Sequence, residues 1–347
     1  MTIIDRFLAA CRRQRVDATP VWFMRQAGRY QPEYRKLRER YSLYDICREP
    51  ELCAQVSARP VQQLGVDAAI LFSDIMVPLM AIGVGVELKE NVGPVLDRPF
   101  TSAADLARLR PLEPEADLPY VIASVKLLRE TLPVPLIGFA GGPFTLASYL
   151  IEGRPTRKFV LTKRLMYGEP ELWHGLLERL ADIVIAFLTA QIEAGAQAIQ
   201  LFDSWAGNLA PEDYAAYVLP HSRRILTRIA EYDVPRIHFG VGTANLLPLM
   251  RSAGCEVVGI DTFTPLATAW DQLGDVAVQG NLDPALTLTE PALAERRTRA
   301  LLDSVAGRDG HIFNLGHGVF PETSVDTLRR IVDTVHEHSA KQRRAAP

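Results

Sequence analysis

This sequence has few of the features that mark a secreted, zinc-binding or membrane protein. It has only four cysteines in 347 residues, with no CxxC pair and no Cys/His cluster, so neither a disulfide framework nor a zinc site is expected. No run approaches the ~20 apolar residues of a membrane helix. The N-terminal stretch has its basic residues after its apolar ones, unlike a secretory signal. The sequence therefore predicts a cytoplasmic protein whose thiols are reduced and mostly packed in the core.

An excess of charge of one sign is also lacking. The chain has 38 basic and 41 acidic residues, for a net charge of −3, and no basic stripe interleaved with aromatics. General binding to nucleic acid is therefore not expected, and no basic amphipathic segment predicts a membrane anchor. GxGxxG and P-loop fingerprints are missing as well. Any anionic ligand must be bound by a local basic site.

Eight short apolar runs recur along the chain, and most are followed by a long amphipathic segment. Near-continuous apolar runs are typical of parallel strands buried on both faces. Eight strand–helix units predict one domain over residues 1–347 with an α/β fold, a (β/α)8 TIM-type barrel; a doubly wound open sheet is the alternative. The predicted strands are residues 20–24, 68–74, 135–142, 198–204, 235–240, 257–262, 276–281 and 311–316.

One insertion interrupts this alternation. The stretch "GVGVELKENVGPVLDRPF", residues 83–100, alternates in polarity and contains a Gly-Pro break. It predicts a small β-hairpin after the second predicted strand.

Polar side chains follow five of the predicted strands. In a barrel of this type the catalytic residues stand at the carboxyl ends of the strands, so these side chains are expected to meet around one cleft. They are Arg25 and Arg29 after the first run, Asp74 after the second, Tyr149 after the third, Ser204 after the fourth and His317 after the eighth.

The two arginines lie in "MRQAGRY", where spacing of four residues is also typical of a solvated helix face. Gly28 weakens a helix at this point, and Pro32 disfavours helical geometry at the residue before it. A turn carrying two guanidinium groups suits the binding of carboxylate or phosphate. We therefore predict an anion-binding loop.

The other strand-end residues each have a structural and a functional interpretation. Asp74 is either a helix cap or a carboxylate at the barrel mouth, and Tyr149 either packs or contacts a ligand. Ser204 lacks a GxSxG elbow, so it is not predicted to be a nucleophile. His317, between two glycines, favours a ligand-facing role, whereas Asp261 fits either role. Together these residues, without metal spacing, predict cofactor-free chemistry on a polyanionic small molecule.

Six blocks of the sequence resemble signature blocks of the uroporphyrinogen decarboxylase family, in family order. They are "MRQAGRYQPEYR", "LFSDIMVPLMAIG", "GFAGGPFTLASYLIEG", "QLFDSWAG", "GNLDP" and "FNLGHGVFPET". The resemblance implies a distorted TIM-type barrel that forms a homodimer with facing clefts. It also implies conversion of uroporphyrinogen III to coproporphyrinogen III and four CO2, without cofactor or metal, in haem and tetrapyrrole biosynthesis.

The same resemblance implies roles for individual residues. Asp74 would accept hydrogen bonds from the pyrrole NH groups, and Arg29 is a candidate proton donor beside water and the substrate's own carboxylic acid. Two stretches depart from the family pattern. Many members carry tryptophan at the position of Thr262, and the stretch "HFGVG" differs from the commoner family forms, which contain lysine. The implied substrate contacts are Arg25, Gln26, Ala27, Gly28, Arg29, Asp74, Tyr149, Ser204 and His317.

Two other functions remain open on the sequence. A corrinoid-linked methyltransferase on a related barrel would bind zinc through His and Cys ligands. Cys255 stands alone in the sequence, which disfavours zinc binding. A non-catalytic tetrapyrrole carrier would share the cleft but not the reaction. Zinc content separates the first from a decarboxylase, and product formation separates the second.

Overall fold

A curled sheet of seven parallel strands forms the centre of the computed structural model, which describes residues 3–89 and 92–345. Its strands, in spatial order, are β1 (Ala69–Ile70), β4 (Leu136–Gly141), β5 (Ala198–Phe202), β6 (Arg236–Phe239), β7 (Val257–Gly259), β8 (Ala277–Gln279) and β9 (His311–Ile312). Each lies within a predicted run, so seven of the eight strands are confirmed, although they are shorter than predicted. All residues of β4 are buried, as expected for a strand that is covered on both faces.

Helices cover the sheet and begin and end where proline and glycine allow. Helix α4, for example, starts at a proline and stops before Gly65, which adopts φ 72°. The helices are α1 (Ile3–Cys11), α2 (Pro32–Arg38), α3 (Leu43–Arg48), α4 (Pro50–Leu64), α5 (Val77–Ala81), α6 (Pro114–Asp117), α7 (Pro119–Thr131), α8 (Pro143–Glu152), α9 (Val160–Gly168), α10 (Pro170–Glu193), α11 (Pro211–Tyr217), α12 (Leu219–Ile229), α13 (Leu247–Ser252), α14 (Leu266–Leu273), α15 (Pro291–Ser304) and α16 (Val325–Ala345). Short 3-10 turns cover Ala103–Arg108, Ala206–Asn208, Ala230–Tyr232 and Pro284–Leu288.

The predicted hairpin is confirmed. Strands β2 (Val86–Lys89) and β3 (Gly93–Leu96) pair antiparallel, and the turn residues 90 and 91 lie outside the described residues. The hairpin is tied to the end of α8, because the Leu96 N–H donates to the Gly153 carbonyl at 2.8 Å.

Residues 20–24, here called the closing segment, do not form the predicted first strand. They make a single parallel bridge, from Val21 to Phe313 beside β9. On the other side the Asp67 N–H, just before β1, donates to the Val21 carbonyl at 2.8 Å. The closing segment therefore still fills the gap between the two edges of the sheet, which closes the distorted barrel.

Side chains explain why the closing segment has no regular ladder. Three of its four backbone N–H groups from residue 21 onward are bound by side-chain oxygens rather than by a neighbouring strand. The pairs are Val21 N–H to Asp67 Oδ2 at 2.8 Å, Phe23 N–H to Gln26 Oε1 at 3.0 Å and Met24 N–H to Asn314 Oδ1 at 3.0 Å. This bonding satisfies the backbone without a strand partner.

A buried polar chain inside the barrel connects the closing segment to the strands. The Trp22 indole N–H donates to Gln279 Oε1 at 2.9 Å, and Gln279 Nε2 donates to Gln200 Oε1 at 3.0 Å. All three side chains are buried. Buried amides that satisfy one another in this way favour one arrangement of the interior.

The four cysteines are free and buried, as predicted. Among residues 3–89 and 92–345, no helix has the length and apolar character needed to cross a membrane.

Candidate active site

Arg25, Asp74, Tyr149 and His317 come together at the carboxyl ends of the strands. The charge of Arg25 acts on each of the other three, since it opposes the raised pKa of Asp74 and of Tyr149 and helps to lower the pKa of His317. Four side chains from distant parts of the chain therefore share one electrostatic environment.

The loop that carries the arginines is a turn rather than a helix, as predicted. Helix α2 begins only at Pro32, and Arg25 adopts φ 61°, in the left-handed region that non-glycine residues rarely occupy. Arg25 and Arg29 are both exposed, and neither has a carboxylate partner within 4.0 Å in the described part of the chain. The Arg29 side chain lies on the α2 side, where its charge is one of those opposing the burial that raises the pKa of Tyr34.

Gln26 holds this loop in place. Its side chain is fully buried; Oε1 accepts from the Phe23 N–H, and Nε2 donates to the Ala68 carbonyl at 3.0 Å. Its own carbonyl accepts from the Tyr30 hydroxyl at 2.8 Å. The side-chain amide therefore bonds within the protein, and the predicted contact of Gln26 with substrate stays a prediction.

Ala27 and Gly28 are half-buried between the two arginines. The Gly28 N–H donates to Gln31 Oε1 at 3.2 Å. This bond fixes the turn, while the two arginine side chains remain the exposed donors of the loop.

Asp74 makes the capping bond that its sequence position allows, and its role as a carboxylate at the barrel mouth stays a prediction. Its Oδ1 accepts from the Met76 N–H at 2.8 Å, which caps the turn before α5. Burial raises its pKa, while the Met76 N–H and the Arg25 charge act in the opposite direction. The half-buried carboxylate keeps its second oxygen for another donor.

Tyr149 stands on α8, a helix that the glycine-rich sequence "GFAGGPFTLASYLIEG" did not predict. Its ring stacks on Trp205, with centroids 4.2 Å apart and planes inclined by 29°. Burial raises the pKa of Tyr149, the Asp74 charge adds to this shift, and Arg25 opposes it. The phenol therefore stays protonated at neutral pH and can donate a hydrogen bond.

Trp205 was missed as a site residue, although "FDSWAG" contains it. A large aromatic next to a strand-end serine is the signal that could have indicated it. Ser204 itself is half-buried beside this ring.

Asp203 joins the loop after β5 to the start of α8. Its Oδ1 accepts from the N–H of Thr145 at 2.9 Å and from the Thr145 hydroxyl at 2.7 Å. The same hydroxyl accepts from the Trp205 N–H at 3.1 Å. Asp203 is fully buried, its Oδ2 has no partner in the described part of the chain, and burial raises its pKa to about 6.

His317 is exposed at the mouth of the cleft. Its Nδ1 accepts from the Gly318 N–H at 2.8 Å, so in the neutral ring the proton is on Nε2, which can donate to a ligand. Loss of surrounding water lowers its pKa, Arg25 lowers it further, and Asp261 opposes them. A side chain at Gly318 would overlap the stem of Arg25, so this glycine allows the two loops to touch.

Asp261 is structural. The side chain is buried and accepts the N–H groups of Gly242 and, at 3.0 Å, of Phe263. Asn281 Nδ2 donates to the Asp261 carbonyl at 2.7 Å. These bonds fix the loop that carries Thr262, whose backbone lies against Gly316.

In the described ranges, no three His, Cys, Asp or Glu side chains form a group that could hold a metal ion. His238, on the strand where a related methyltransferase would place a ligand, is fully buried with Nδ1 3.4 Å from the Met250 carbonyl.

Comparisons with known proteins show the family of this chain. The family model described as uroporphyrinogen decarboxylase (URO-D) matches residues 2–338. Three proteins named uroporphyrinogen decarboxylase are similar over nearly the whole chain. That of Streptomyces griseus is 56% identical, with 96% of this chain and 92% of the relative covered. Those of Thermus thermophilus and Bacillus subtilis are 51% and 49% identical, with 97% and 99% of this chain and 98% and 97% of the relatives covered.

Solved structures support the fold alone. A methyltransferase from Methanosarcina mazei has TM-score 0.78 at 19% identity, with 96% of this chain and 98% of that chain covered. A B12-independent methionine synthase from Shewanella has TM-score 0.58 at 12% identity, with 88% and 90% covered. The predicted TIM-type barrel is thereby confirmed.

Proposed function

This chain belongs to the uroporphyrinogen decarboxylase family, and from that premise we propose that its cleft decarboxylates uroporphyrinogen. The proposed reaction removes the four acetate carboxyl groups of uroporphyrinogen III and gives coproporphyrinogen III and four CO2, in haem and tetrapyrrole biosynthesis. The observation that carries the proposal is that the charge of Arg25 affects the pKa values of Asp74, Tyr149 and His317, which come from distant parts of the chain.

The exposed arginines fit a substrate that carries eight carboxylates. Arg25 and Arg29 present forked donors that no described carboxylate neutralises, and guanidinium binds carboxylate through two parallel hydrogen bonds. Tyr149, Ser204 and His317 supply further donors around the cleft. The stacked rings of Tyr149 and Trp205 add an apolar surface suited to the macrocycle.

Asp74 stabilises the positive charge that decarboxylation requires. A proton first adds to a pyrrole ring carbon, and the resulting cation is delocalised onto the ring nitrogen. The bond between the methylene carbon and the carboxylate then breaks, and CO2 leaves. The electron pair of that bond moves into the ring and neutralises the cation. Protonation of the exocyclic methylene and loss of the ring-carbon proton give a methyl group, so each acetate consumes one proton. A half-buried carboxylate that accepts the pyrrole N–H would stabilise this cation through a preorganised charge-assisted hydrogen bond.

In these reaction steps the substrate's own ring accepts the electron pair, so the reaction needs no cofactor. Three groups are candidates for the proton donor. Arg29 is the candidate that the family resemblance implies, but guanidinium is a very weak acid. Water and a protonated substrate carboxyl group are the competing donors.

We also propose that two copies pair with their clefts facing each other, in the cytoplasm. Two large aromatic side chains on loops at the strand ends support the pairing, since Phe263 is 73% exposed and Phe320 is 38% exposed. The four free buried thiols are typical of a reducing compartment.

The experiment is incubation of the purified protein with freshly reduced uroporphyrinogen III, followed by oxidation and chromatography of the porphyrins. We expect stepwise loss of carboxyl groups from eight to four. Tight binding without any product would favour a carrier instead. Stoichiometric zinc together with methyl transfer to a thiol would favour the methyltransferase.

A further inference from the structure

Asn314 lies between the two loops that carry Arg25 and His317. Its side-chain oxygen accepts from the Met24 N–H at 3.0 Å and from the Leu315 N–H at 2.8 Å. One buried oxygen therefore binds the residue just before Arg25 and a residue two positions before His317.

The backbone around Asn314 joins the same two loops. The Val319 N–H donates to the Met24 carbonyl at 2.9 Å, so Met24 is bonded on both sides to residues 314–319. The stem of Arg25 lies against Gly318. Because Arg25 adopts a left-handed backbone conformation, neighbouring contacts must hold it there.

The choice of asparagine at this position is informative. Its Nδ2 is buried and has no partner in the described ranges, which costs stability. An aspartate would offer the same acceptor without an unpaired donor, but it would place a negative charge below an anion-binding arginine. A leucine would fill the space and bind neither N–H group. Of these three side chains, the amide is the one that combines the acceptor with neutrality.

We propose that Asn314 is a positioning residue that fixes Arg25 and His317 relative to each other. This inference rests on the proposed function, because it concerns how the cleft binds the carboxylates of uroporphyrinogen. Asn314 acts through the two loops and does not itself touch the substrate.

The first variant is Asn314→Ala, which removes the shared acceptor. Misplacement of a binding group by about 1 Å can cost up to about 100-fold, so we expect kcat/KM to fall by about 10- to 100-fold. Most of the loss should be in KM, because the arginine binds substrate carboxylates.

The matched control is Ser339→Ala. The buried Ser339 hydroxyl accepts from the Thr19 N–H at 2.8 Å, so it joins α16 to the residue just before the closing segment, at the other end of that segment from Met24. This control should lower the melting temperature by a similar amount and leave kcat/KM within about threefold. Equal losses of kcat/KM in the two variants would show that Asn314 is only structural.

A double-mutant cycle then tests the route of the effect. In an Arg25→Ala, His317→Ala background, Asn314→Ala should change kcat/KM by less than about threefold, because the groups that it positions are gone. Single-turnover assays with enzyme in excess keep this slow variant measurable. Full additivity with Asn314→Ala alone would overturn the proposal.

If Asn314→Ala does not fold, Asn314→Asp is the alternative test variant. It keeps the acceptor oxygen, so the fold should be retained, while the added negative charge should raise KM about tenfold. In the Arg25→Ala background the same substitution should raise KM by less than about threefold. An equal rise of KM with and without Arg25 would contradict the argument. Wild-type protein without decarboxylase activity would instead refute the proposed function, so the two failures are distinguishable.

Discussion

The two sides of the cleft are built in opposite ways. The basic side consists of the closing segment, the arginine loop and residues 313–319, and side-chain oxygens bind three of the four N–H groups of residues 21–24. The aromatic side consists of β4, β5, α8 and the loop with Trp205. There, five consecutive register pairs join β4 to β5, from Ile137↔Ala198 to Gly141↔Phe202.

This difference follows from what each side would bind. Cations that bind a polyanion must remain exposed, and an irregular loop can present both arginines to solvent where a strand that is buried on both faces could not. A macrocycle needs a fixed apolar wall, which a regular strand pair with stacked rings provides. Asp74 follows β1, between the two sides.

The largest effect is expected where the two sides meet. Asp74→Asn keeps an oxygen for the Met76 N–H but removes the negative charge that stabilises the pyrrole cation. We expect kcat to fall about 100- to 1000-fold, with KM and melting temperature little changed, in steady-state assays with uroporphyrinogen.

Asp283→Asn is the matched control for that variant. Its Oδ1 accepts from the Ala285 N–H at 2.9 Å, the same two-residue spacing as in Asp74, and it has no proposed contact with substrate. Near-normal turnover of Asp74→Asn would remove Asp74 from the mechanism.

The next effect tests the basic side by itself. Arg25→Ala loses a charge-assisted contact worth about 2 to 4 kcal/mol, so KM should rise about 30- to 1000-fold with a smaller change in kcat. Arg25→Lys should be intermediate, because it keeps the charge without the fork. The KM of the wild type should also rise with salt more steeply than that of Arg25→Ala. Unchanged kinetics in Arg25→Ala would argue against anion capture.

The smallest effect on activity is expected on the aromatic side, at Asp203. Burial raises its pKa from 3.8 to about 6, so the folded protein holds this proton more tightly than the unfolded chain. Wild-type stability therefore falls as pH rises through that interval and stays lowered above it, by at most roughly 3 kcal/mol.

Asp203→Asn keeps an acceptor for Thr145 and removes the buried charge. Its melting temperature should exceed that of wild type by a few degrees at pH 8, about 2 to 6 °C. The difference should shrink below pH 6 and vanish near pH 4, as followed by thermal unfolding across pH. A variant less stable than wild type at pH 8 would show that the ionised group is stabilising.

The sequence predicts the aromatic side of the fold well and the basic side poorly. Runs 135–142 and 198–204 contain β4 and β5 because a doubly covered strand needs continuous apolar residues. The apolar run 20–24 looks the same in sequence, but its N–H groups are bound by Asp67, Gln26 and Asn314. Such side-chain partners depend on distant residues that periodicity cannot identify.

The candidate site shows the same limit. The strand-end rule together with the family resemblance indicated Arg25, Asp74, Tyr149 and His317, which the structure brings together. The sequence did not separate Gln26, which anchors the loop, from the arginines beside it. The spacing along the sequence is the same for a side chain that anchors the loop and for one that faces a ligand. Only burial in the structure distinguishes the two.

The bond between Met24 and Asn314 spans 290 residues of sequence, and this separation has a consequence for folding. Closing so long a loop has a high entropic cost and slows the contact. During synthesis from the N-terminus, the arginine loop emerges early, but its partners in residues 313–319 are translated near the end. The aromatic side can form on a partly synthesised chain, whereas the anion-binding half must wait for β9. A nascent or truncated chain without that strand would lack the contacts that hold the arginine loop in place.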